Sequence, residues 1–149
     1  MDAIIGVMRV QLQRLDPDLP VPRRAHRGDG GADLCARAGV RLAPRERALV
    51  GTGLAVAVPE GYCALVTPRS GLAVRHGIGV ANGPGIIDSG YRGEVMVILV
   101  NHGAEHVDIA RGDRIAQLVV VPIPDWEFEE VAELPDSERG SGGFGSTGV

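Results

Sequence analysis

The chain contains no lysine and few aromatic residues, and both shortages narrow what the protein can be. All fifteen basic residues among its 149 are arginine, so every cationic side chain that meets a ligand is a guanidinium, which forks onto phosphate oxygens. The net charge is −4, which gives no electrostatic case for a nucleic-acid partner. Because aromatic residues make up only 3 % of the chain, we expect a core of Val, Ile, Leu and Ala.

Cysteine is also scarce. Cys35 and Cys63 lie far apart, outside any CxxC or CxxH pattern. We therefore expect reduced, buried thiols in a cytoplasmic protein, with neither a disulfide nor a zinc site. No apolar run approaches the length of a membrane span and no signal peptide is visible, so we expect no membrane partner. Residues 1–7 precede a second methionine, Met8, and are interpreted as a possible N-terminal extension.

Short apolar segments separated by glycine and proline predict an all-β sandwich or barrel over residues 8–134. Residues 54–58 and 62–67 flank Pro59-Glu60-Gly61, which predicts a hairpin-like turn. Two other segments are apolar enough to be buried on both faces, which favours packing against other subunits; they are residues 94–100 and 114–121. Only 70–76 has a helical pattern.

The last eleven residues combine five glycines with Arg139, Phe144 and three hydroxyls. Such a segment has too little apolar surface to fold alone. Its glycines can be aligned with a dinucleotide fingerprint or a P-loop, but both need a preceding strand and a following helix. We interpret residues 135–149 as a flexible arm that closes over a phosphate-bearing ligand. A disordered tail is the alternative, which Arg139 and Phe144 argue against.

Two internal segments carry further candidate residues. Arg69 and Ser70 open the short helix, where N–H groups favour anions, although serine there can also be an ordinary cap. In residues 82–94, glycines and proline predict turns on either side of 86–88 and a tight hairpin that can read a base edge. Asp88 is a candidate general base and Tyr91 a candidate sugar contact; a turn aspartate and a core tyrosine are the alternatives.

Two single residues carry a weaker signal. Asp33 follows a glycine turn at a strand start, where it is more often a turn cap than a metal site, and Gln117 takes an alternating strand position. Taken together and in this order, the five segments closely resemble the dUTPase family, the homotrimeric dUTP pyrophosphatases, over residues 8–149. The resemblance implies a distorted jelly-roll-like β-barrel that hydrolyses dUTP to dUMP and pyrophosphate with Mg²⁺. It also implies a homotrimer with three active sites shared between subunits.

The resemblance assigns roles residue by residue. Asp88 matches the catalytic aspartate that deprotonates water, and Tyr91 the residue that excludes the ribose 2′-hydroxyl. Asn82 and the hairpin backbone, including Ile87, match the uracil-reading positions. The remaining matches contact phosphate or support the metal. Arg69, Ser70, Gly71 and Gln117 are substrate-binding, and Asp33, with Gln117, supports Mg²⁺ through water.

In the arm, the resemblance implies that Arg139 clamps the γ-phosphate and Phe144 stacks on uracil. The residues that follow cover the other phosphate oxygens; they are Gly145, Ser146 and Thr147. Two rival functions stay open: a dCTP deaminase, which shares the fold but typically uses a glutamate near the exocyclic amine, and a non-catalytic dUTP-binding regulatory module. The pair Asp88-Ser89 and the complete arm favour hydrolysis.

Overall fold

The computed structural model describes residues 7–143, and over that range it has ten strands and one helix. The elements are β1 Gln11–Arg14, β2 Gly31–Cys35, β3 Val40–Leu42, β4 Arg47–Ala57, β5 Tyr62–Thr67, α1 Ser70–His76, β6 Ile78–Val80, β7 Gly85–Ile87, β8 Glu94–Asn101, β9 Val107–Ile109 and β10 Arg114–Pro122. The all-β class predicted from the sequence is confirmed.

The strands form two four-stranded antiparallel sheets and one two-stranded pair. The first sheet has the order β1-β4-β8-β6, the second has the order β2-β10-β5-β7, and β3 pairs with β9. Most neighbours are distant in sequence, because the chain passes repeatedly from one sheet to the other. This connectivity agrees with the expected jelly-roll-like architecture.

The core between the sheets is aliphatic, as expected. Its largest fully buried apolar side chains are those of Leu34, Leu42, Leu54, Ile78, Leu99 and Ile115. No aromatic side chain within residues 7–143 is among the buried residues. Burying one such aliphatic side chain contributes about 1.5–3 kcal/mol. Aliphatic packing therefore holds the sheets together, and the partly buried Tyr62 packs against this core from outside.

The helix α1 lies where the sequence predicted it. Arg69 occupies the N-cap position with extended backbone, and no side chain caps the helix. Ser70 is thus the first helical residue, and its interpretation as an ordinary cap is wrong. Gly77 ends the helix with a φ of 67°, a conformation that glycine adopts without strain. No helix described in residues 7–143 has the length and apolarity that a membrane span requires.

The turn at Pro59-Glu60-Gly61 forms, but it does not close a hairpin. The Tyr62 N–H donates to the Pro59 carbonyl at 3.2 Å, so the chain reverses as predicted. The strands on either side, β4 and β5, belong to different sheets. Turn residues dictate the reversal, whereas a strand's partner is decided by long-range packing.

The prediction that two apolar strands are buried on both faces holds for only part of each strand in a single chain; in β8 the consecutive residues Leu99 and Val100 are buried. In β8, Val95 and Val97 point into the core, but Met96 is 37 % exposed. In β10, only Ile115 and Ala116 are buried, and most of the other residues are half-buried.

Both cysteines are free thiols, but only Cys63 is buried as expected, since Cys35 is half-buried. Desolvation raises the pKa of the Cys35 thiol, and the nearby Asp33 charge adds to this effect. A raised pKa keeps the thiol protonated and unreactive at neutral pH.

Candidate functional site

Three strands of the second sheet place polar side chains side by side. In β10, Gln117 lies opposite Asp33 of β2 on one side and opposite Thr67 of β5 on the other. We call Asp33, Gln117 and Thr67 the polar row. Gln117 lies over Gly31, where an added Cβ would stand 3.3 Å from the Gln117 Cβ. The sheet register therefore brings together two residues that the sequence singled out separately.

Asp33 is the electrostatic centre of this row. Its Oδ1 accepts a hydrogen bond from Arg69 Nε at 2.9 Å, and its Oδ2 accepts one from Arg114 Nη1 at 3.3 Å. Arg69 Nη1 also donates to the Arg114 carbonyl at 3.2 Å. Asp33 thus lies within a strand and holds two guanidiniums, so its interpretation as a turn cap is wrong. The ion pairs fix Arg69 in place before any anion arrives.

Arg114 and Arg23 are two functional candidates that the sequence did not reveal. A cavity of about 490 Å³ over the polar row is lined by Arg23, Ala25, Asp29, Gly30, Gly31, Asp33, Gln117 and Val119. Of the two, Arg114 had a signal in the sequence, because it is the first residue of the strand that carries Gln117. Arg23 lies in a loop, and no periodic pattern connects it with the polar row.

The backbone beside Arg69 adds donors to the same region. The first hydrogen bond at the start of α1 runs from the Ala73 N–H to the Arg69 carbonyl at 3.0 Å. The amides of Ser70, Gly71 and Leu72 precede it, so they have no helical acceptor. Ser70 is exposed. Guanidiniums, free amides and a hydroxyl together form a region suited to binding anions.

The 82–94 loop contains the two turns that its glycines and proline predicted. The Gly83 N–H donates to the Val80 carbonyl at 3.0 Å, and the Tyr91 N–H donates to the Asp88 carbonyl at 3.1 Å. The predicted tight hairpin is wrong in one respect, because β6 pairs with β8 and β7 pairs with β5. As a result β7 is an edge strand of its sheet.

A pocket of about 160 Å³ opens beside β7. It is lined by Val66, Asn82, Gly85, Ile86, Ile87, Tyr91, Glu94, Val95 and Met96. Gly85 permits the close approach of Asn82, since an added Cβ would lie 3.1 Å from Asn82 Nδ2. Predicted residues Asn82, Ile87 and Tyr91 therefore meet at one pocket, and Glu94 and Met96 join them unpredicted.

Tyr91 is fixed at the border of this pocket. Its hydroxyl donates to the Glu94 carbonyl at 2.9 Å, and the ring lies so close to Gly93 that any Cβ there would collide with it. The side chain is 44 % exposed, so the alternative of a core tyrosine is wrong. One edge of the ring is anchored while the rest is available to a ligand.

Asp88 lies in the turn that leads to Tyr91. Its backbone carbonyl closes the turn, but its exposed carboxylate has no hydrogen bond or ion pair to residues in the described range. The Asp88 side chain does not cap the turn. It is therefore free to contact a water molecule or a ligand.

The polar row and the pocket lie on opposite faces of the second sheet. Neighbours along a strand point to opposite sides, so Val66 lines the pocket while Thr67 belongs to the row. No member of the row lines the pocket. In a single chain the pocket and the cavity over the polar row therefore have no lining residue in common.

The arm is described only in part. Arg139 Nε donates to the Gly142 carbonyl at 2.9 Å, and the Gly142 N–H donates to the Arg139 carbonyl at 3.1 Å. Arg139 thus lies in a local turn and contacts neither the polar row nor the pocket. The other predicted arm residues lie outside the described range; they are Phe144, Gly145, Ser146 and Thr147.

Within residues 7–143, no group of three or more His, Cys, Asp or Glu side chains is arranged to hold a metal ion. Both Asp33 oxygens already accept from arginines. The donor set is therefore suited to a hydrated cation that brings its own oxygen ligands, and not to a bare ion.

Comparison with known proteins identifies a family that this chain matches. A family model described as dUTPase matches residues 18–148. The deoxyuridine 5′-triphosphate nucleotidohydrolase of Thermobifida fusca is 57 % identical over 149 residues, which cover 99 % of this chain and 83 % of that protein. The protein of the same name from Gloeobacter violaceus is 54 % identical over 143 residues and covers 95 % of this chain and 97 % of its own length.

Solved structures agree with the sequence comparison. The Staphylococcus bacteriophage 80alpha dUTPase with dUpNHpp has a TM-score of 0.88 and 33 % identity, and the match covers 96 % of this chain and 100 % of that one. A mutant dUTPase from phage phi11 of S. aureus, described as revealing the coordination of a structural Mg(II) ion, has a TM-score of 0.79 and 29 % identity over 87 % of this chain and 100 % of that one.

Proposed function

Because the chain belongs to the dUTPase family, we propose that it hydrolyses dUTP to dUMP and pyrophosphate in the cytoplasm. The observation that carries the proposal is the extent of the family match, since residues 18–148 include every candidate residue named from the sequence. Such a reaction keeps uracil out of DNA and supplies dUMP for thymidylate synthesis.

Base recognition is assigned to the free edge of β7 and to Asn82. An edge strand carries unpaired N–H and C=O groups, and uracil presents one N–H between two carbonyl oxygens. The backbone can therefore pair with uracil much as it pairs with another strand. Cytosine has the opposite pattern at two of these positions, and buried groups left unpaired reject it strongly.

Sugar recognition is assigned to Tyr91. The Glu94 carbonyl holds the phenol hydroxyl, so the ring cannot swing away from a sugar that packs against it. A deoxyribose presents C–H groups at the 2′ position, whereas a ribose adds a hydroxyl that the ring can neither accommodate nor pair. This contact supports selection of dUTP over UTP.

Phosphate binding is assigned to Arg69, Ser70, Gly71 and Gln117. A triphosphate carries close to four negative charges, and attack by water needs these charges neutralised. The ion pair with Asp33 holds Arg69 in place, so little side-chain entropy is lost on binding. The free amides at the start of α1 complement the guanidinium.

Hydrolysis is assigned to Asp88. Its carboxylate accepts a proton from a water molecule, whose oxygen forms a new bond to the α-phosphorus. The bond from that phosphorus to the bridging oxygen then breaks, and pyrophosphate departs with the electron pair. Positioned groups that neutralise the leaving phosphates lower the barrier.

Mg²⁺ fits this site as a companion of the substrate. We propose that substrate phosphates and waters hold it, with Asp33 and Gln117 as outer partners, because the described residues offer no carboxylate cluster. When bound, it supplies neutralising charge to the phosphate oxygens.

The site is proposed to form in a homotrimer, with each of three sites shared between subunits. The pocket beside β7 and the cavity over the polar row support this, because they share no lining residue within one chain. Exposed apolar side chains after β10 also support it. Trp126 is 66 % exposed and Phe128 is 90 % exposed, and their ring centroids lie 4.8 Å apart in an edge-to-face arrangement. Apolar side chains gathered in this way mark interaction surfaces.

The proposal also divides the chain into a β domain and an arm. Residues 8–134 form the β domain, and residues 135–149 form an arm that closes over a site. Arg139 then reaches the γ-phosphate and Phe144 covers uracil, while the hydroxyls and amides of residues 145–147 meet phosphate oxygens.

A nucleotide panel tests the proposed function. Pyrophosphate release is measured with dUTP, dCTP, dTTP and UTP, with and without Mg²⁺, and ammonia release is measured with dCTP. The proposal predicts rapid Mg²⁺-dependent pyrophosphate release from dUTP alone. Ammonia from dCTP identifies a deaminase, and dUTP binding without turnover identifies a regulatory module.

A further inference from the structure

Glu94 connects Tyr91 with an irregularity in the neighbouring strand. Between two aligned pairs, Gly51 with Met96 and Ala55 with Glu94, the register of β4 and β8 shifts. The intervening β4 residues 52–54 face the single residue Val95. Such a bulge leaves backbone groups without ladder partners, and other groups must satisfy them.

The Glu94 carboxylate occupies this bulge. Its Oε1 accepts a hydrogen bond from the Gly53 N–H at 2.8 Å, and its Oε2 pairs with Arg37 Nη1 at 3.2 Å. The space is tight, because an added Cβ on Gly51 would lie 2.6 Å from the same Oε1. Thr52 Oγ1 closes the bulge from the other side by donating to the Val95 carbonyl at 2.7 Å.

Arg37 is itself restrained. Its Nη2 donates to the Leu15 carbonyl at 3.4 Å, and its Nε lies 3.6 Å from Asp16 Oδ2. Arg111 holds Asp16 in turn through hydrogen bonds of 2.6 and 3.0 Å. The first residue of β8 is therefore anchored through its side chain to two other segments of the molecule.

The backbone of the same residue holds the Tyr91 hydroxyl at 2.9 Å. We propose that Glu94 is a positioning residue for sugar discrimination: its carboxylate fixes the start of β8, and its carbonyl thereby fixes the Tyr91 ring. The inference rests on the proposed function, in which Tyr91 packs against deoxyribose. Glu94 acts through Tyr91 and need not touch the reacting atoms.

The test is the ratio of kcat/KM for dUTP to kcat/KM for UTP. Glu94→Ala removes both side-chain contacts and should lower this ratio by at least about tenfold, since small displacements in a site cost large factors in rate. Glu94→Gln keeps an acceptor for the Gly53 N–H but loses the charged pair. Its ratio should lie between those of Glu94→Ala and the unmodified chain.

Glu46 provides the matched control. Its carboxylate accepts a backbone hydrogen bond of the same kind, from the Ala43 N–H at 2.7 Å, and no described pocket includes it. Glu46→Ala and Glu46→Gln should therefore leave the dUTP/UTP ratio unchanged, whatever they do to Tm. An unchanged ratio in Glu94→Ala overturns the inference. If that variant does not fold, an unchanged ratio in Glu94→Gln overturns it.

A double variant separates positioning from general destabilisation. Tyr91→Phe removes the hydroxyl that the Glu94 carbonyl holds, so adding Glu94→Ala should cost little more selectivity than the larger single change. If the decreases in the dUTP/UTP ratio caused by the two single changes multiply in the double variant, the two residues act independently, which contradicts a shared contact. If the unmodified chain does not hydrolyse dUTP, the proposed function fails; if it is selective and the Glu94 variants remain equally selective, only the present inference fails.

Discussion

Asp33 and Asp88 are both carboxylates, but their surroundings differ. Asp33 holds Arg69 and Arg114, whereas the Asp88 carboxylate is exposed. A carboxylate that already pairs with two guanidiniums is poorly placed to take a proton from water. An unpaired carboxylate in a turn is well placed to do so, which supports the general-base role of Asp88.

Asp88→Asn should bind dUTP while losing most turnover. A general base contributes about 10²- to 10⁴-fold to rate, so kcat should fall by about that factor while the Kd for dUTP changes little. Quenched-flow pyrophosphate assays and calorimetry give the two quantities. Glu60 is an exposed carboxylate in the 59–61 turn, and Glu60→Gln is the control. Near-normal turnover by Asp88→Asn would contradict the proposed mechanism.

Some residues of the candidate site could be predicted from the sequence, and others could not. Asn82, Ile87 and Tyr91 could be grouped because they lie within one short loop. The contact between Asp33 and Arg69 spans 36 positions in the chain, and it depends on the order of strands in a sheet. No local pattern encodes that order, so the ion pair and its second arginine, Arg114, appear only in the structure.

Among the elements, β5 organises the candidate site. Val66 faces the pocket and Thr67 belongs to the polar row, and the strand leads directly into Arg69 and α1. The sequence predicted β5 and α1 with their bounds, because strand alternation and glycine punctuation are local signals. It failed on the partners of β7, since a turn between two short strands does not force them to pair.

The contact between Asp16 and Arg111 predicts that the protein loses folding stability in acid. Asp16 joins the loop after β1 to the turn before β10, and its bonds to Arg111 lower its pKa to about 2 from an ordinary 3.8. A lowered folded-state pKa gives stability that is present above pH 3.8 and is lost as the pH falls through about 2.

Thermal unfolding of the unmodified chain and of Asp16→Asn should show this difference. The unmodified chain should have the higher Tm at neutral pH, and the gap should shrink as the pH falls from about 4 to 2. Asp108→Asn, which loses an exposed pair with Arg41 at 3.7 Å, should change Tm little at any pH, as expected for surface pairs. A gap that stays constant down to pH 2 contradicts the role of the Asp16–Arg111 bond.

At the scale of the whole molecule, our proposal requires more than one chain to complete the active site. Within one chain the pocket beside β7 and the cavity over the polar row share no lining residue, and several large apolar side chains after β10 are exposed, including Leu134 at 83 %. The sequence predicted packing between subunits from the apolar residues of β8 and β10, and not from this later segment. It did not show which surfaces are exposed, because burial depends on the complete arrangement of both sheets.

Deleting residues 139–149 should leave the assembly intact while kcat/KM for dUTP collapses. The reason is that the β domain carries the proposed contacts between subunits, while the arm carries the proposed γ-phosphate clamp and stacking ring. Light scattering reports the assembly and pyrophosphate release reports activity. An unchanged kcat/KM would refute the role of the arm.

In the proposed site, dUTP is hydrolysed where Asp88 of one chain meets Arg69 of another. Two inactive variants, Asp88→Asn and Arg69→Ala, are unfolded, mixed in equal amounts and refolded together. If the two residues come from different subunits, random assembly restores about one quarter of the sites. Recovery of dUTP hydrolysis to about that level is the predicted result, and a mixture as inactive as each variant alone would contradict the account.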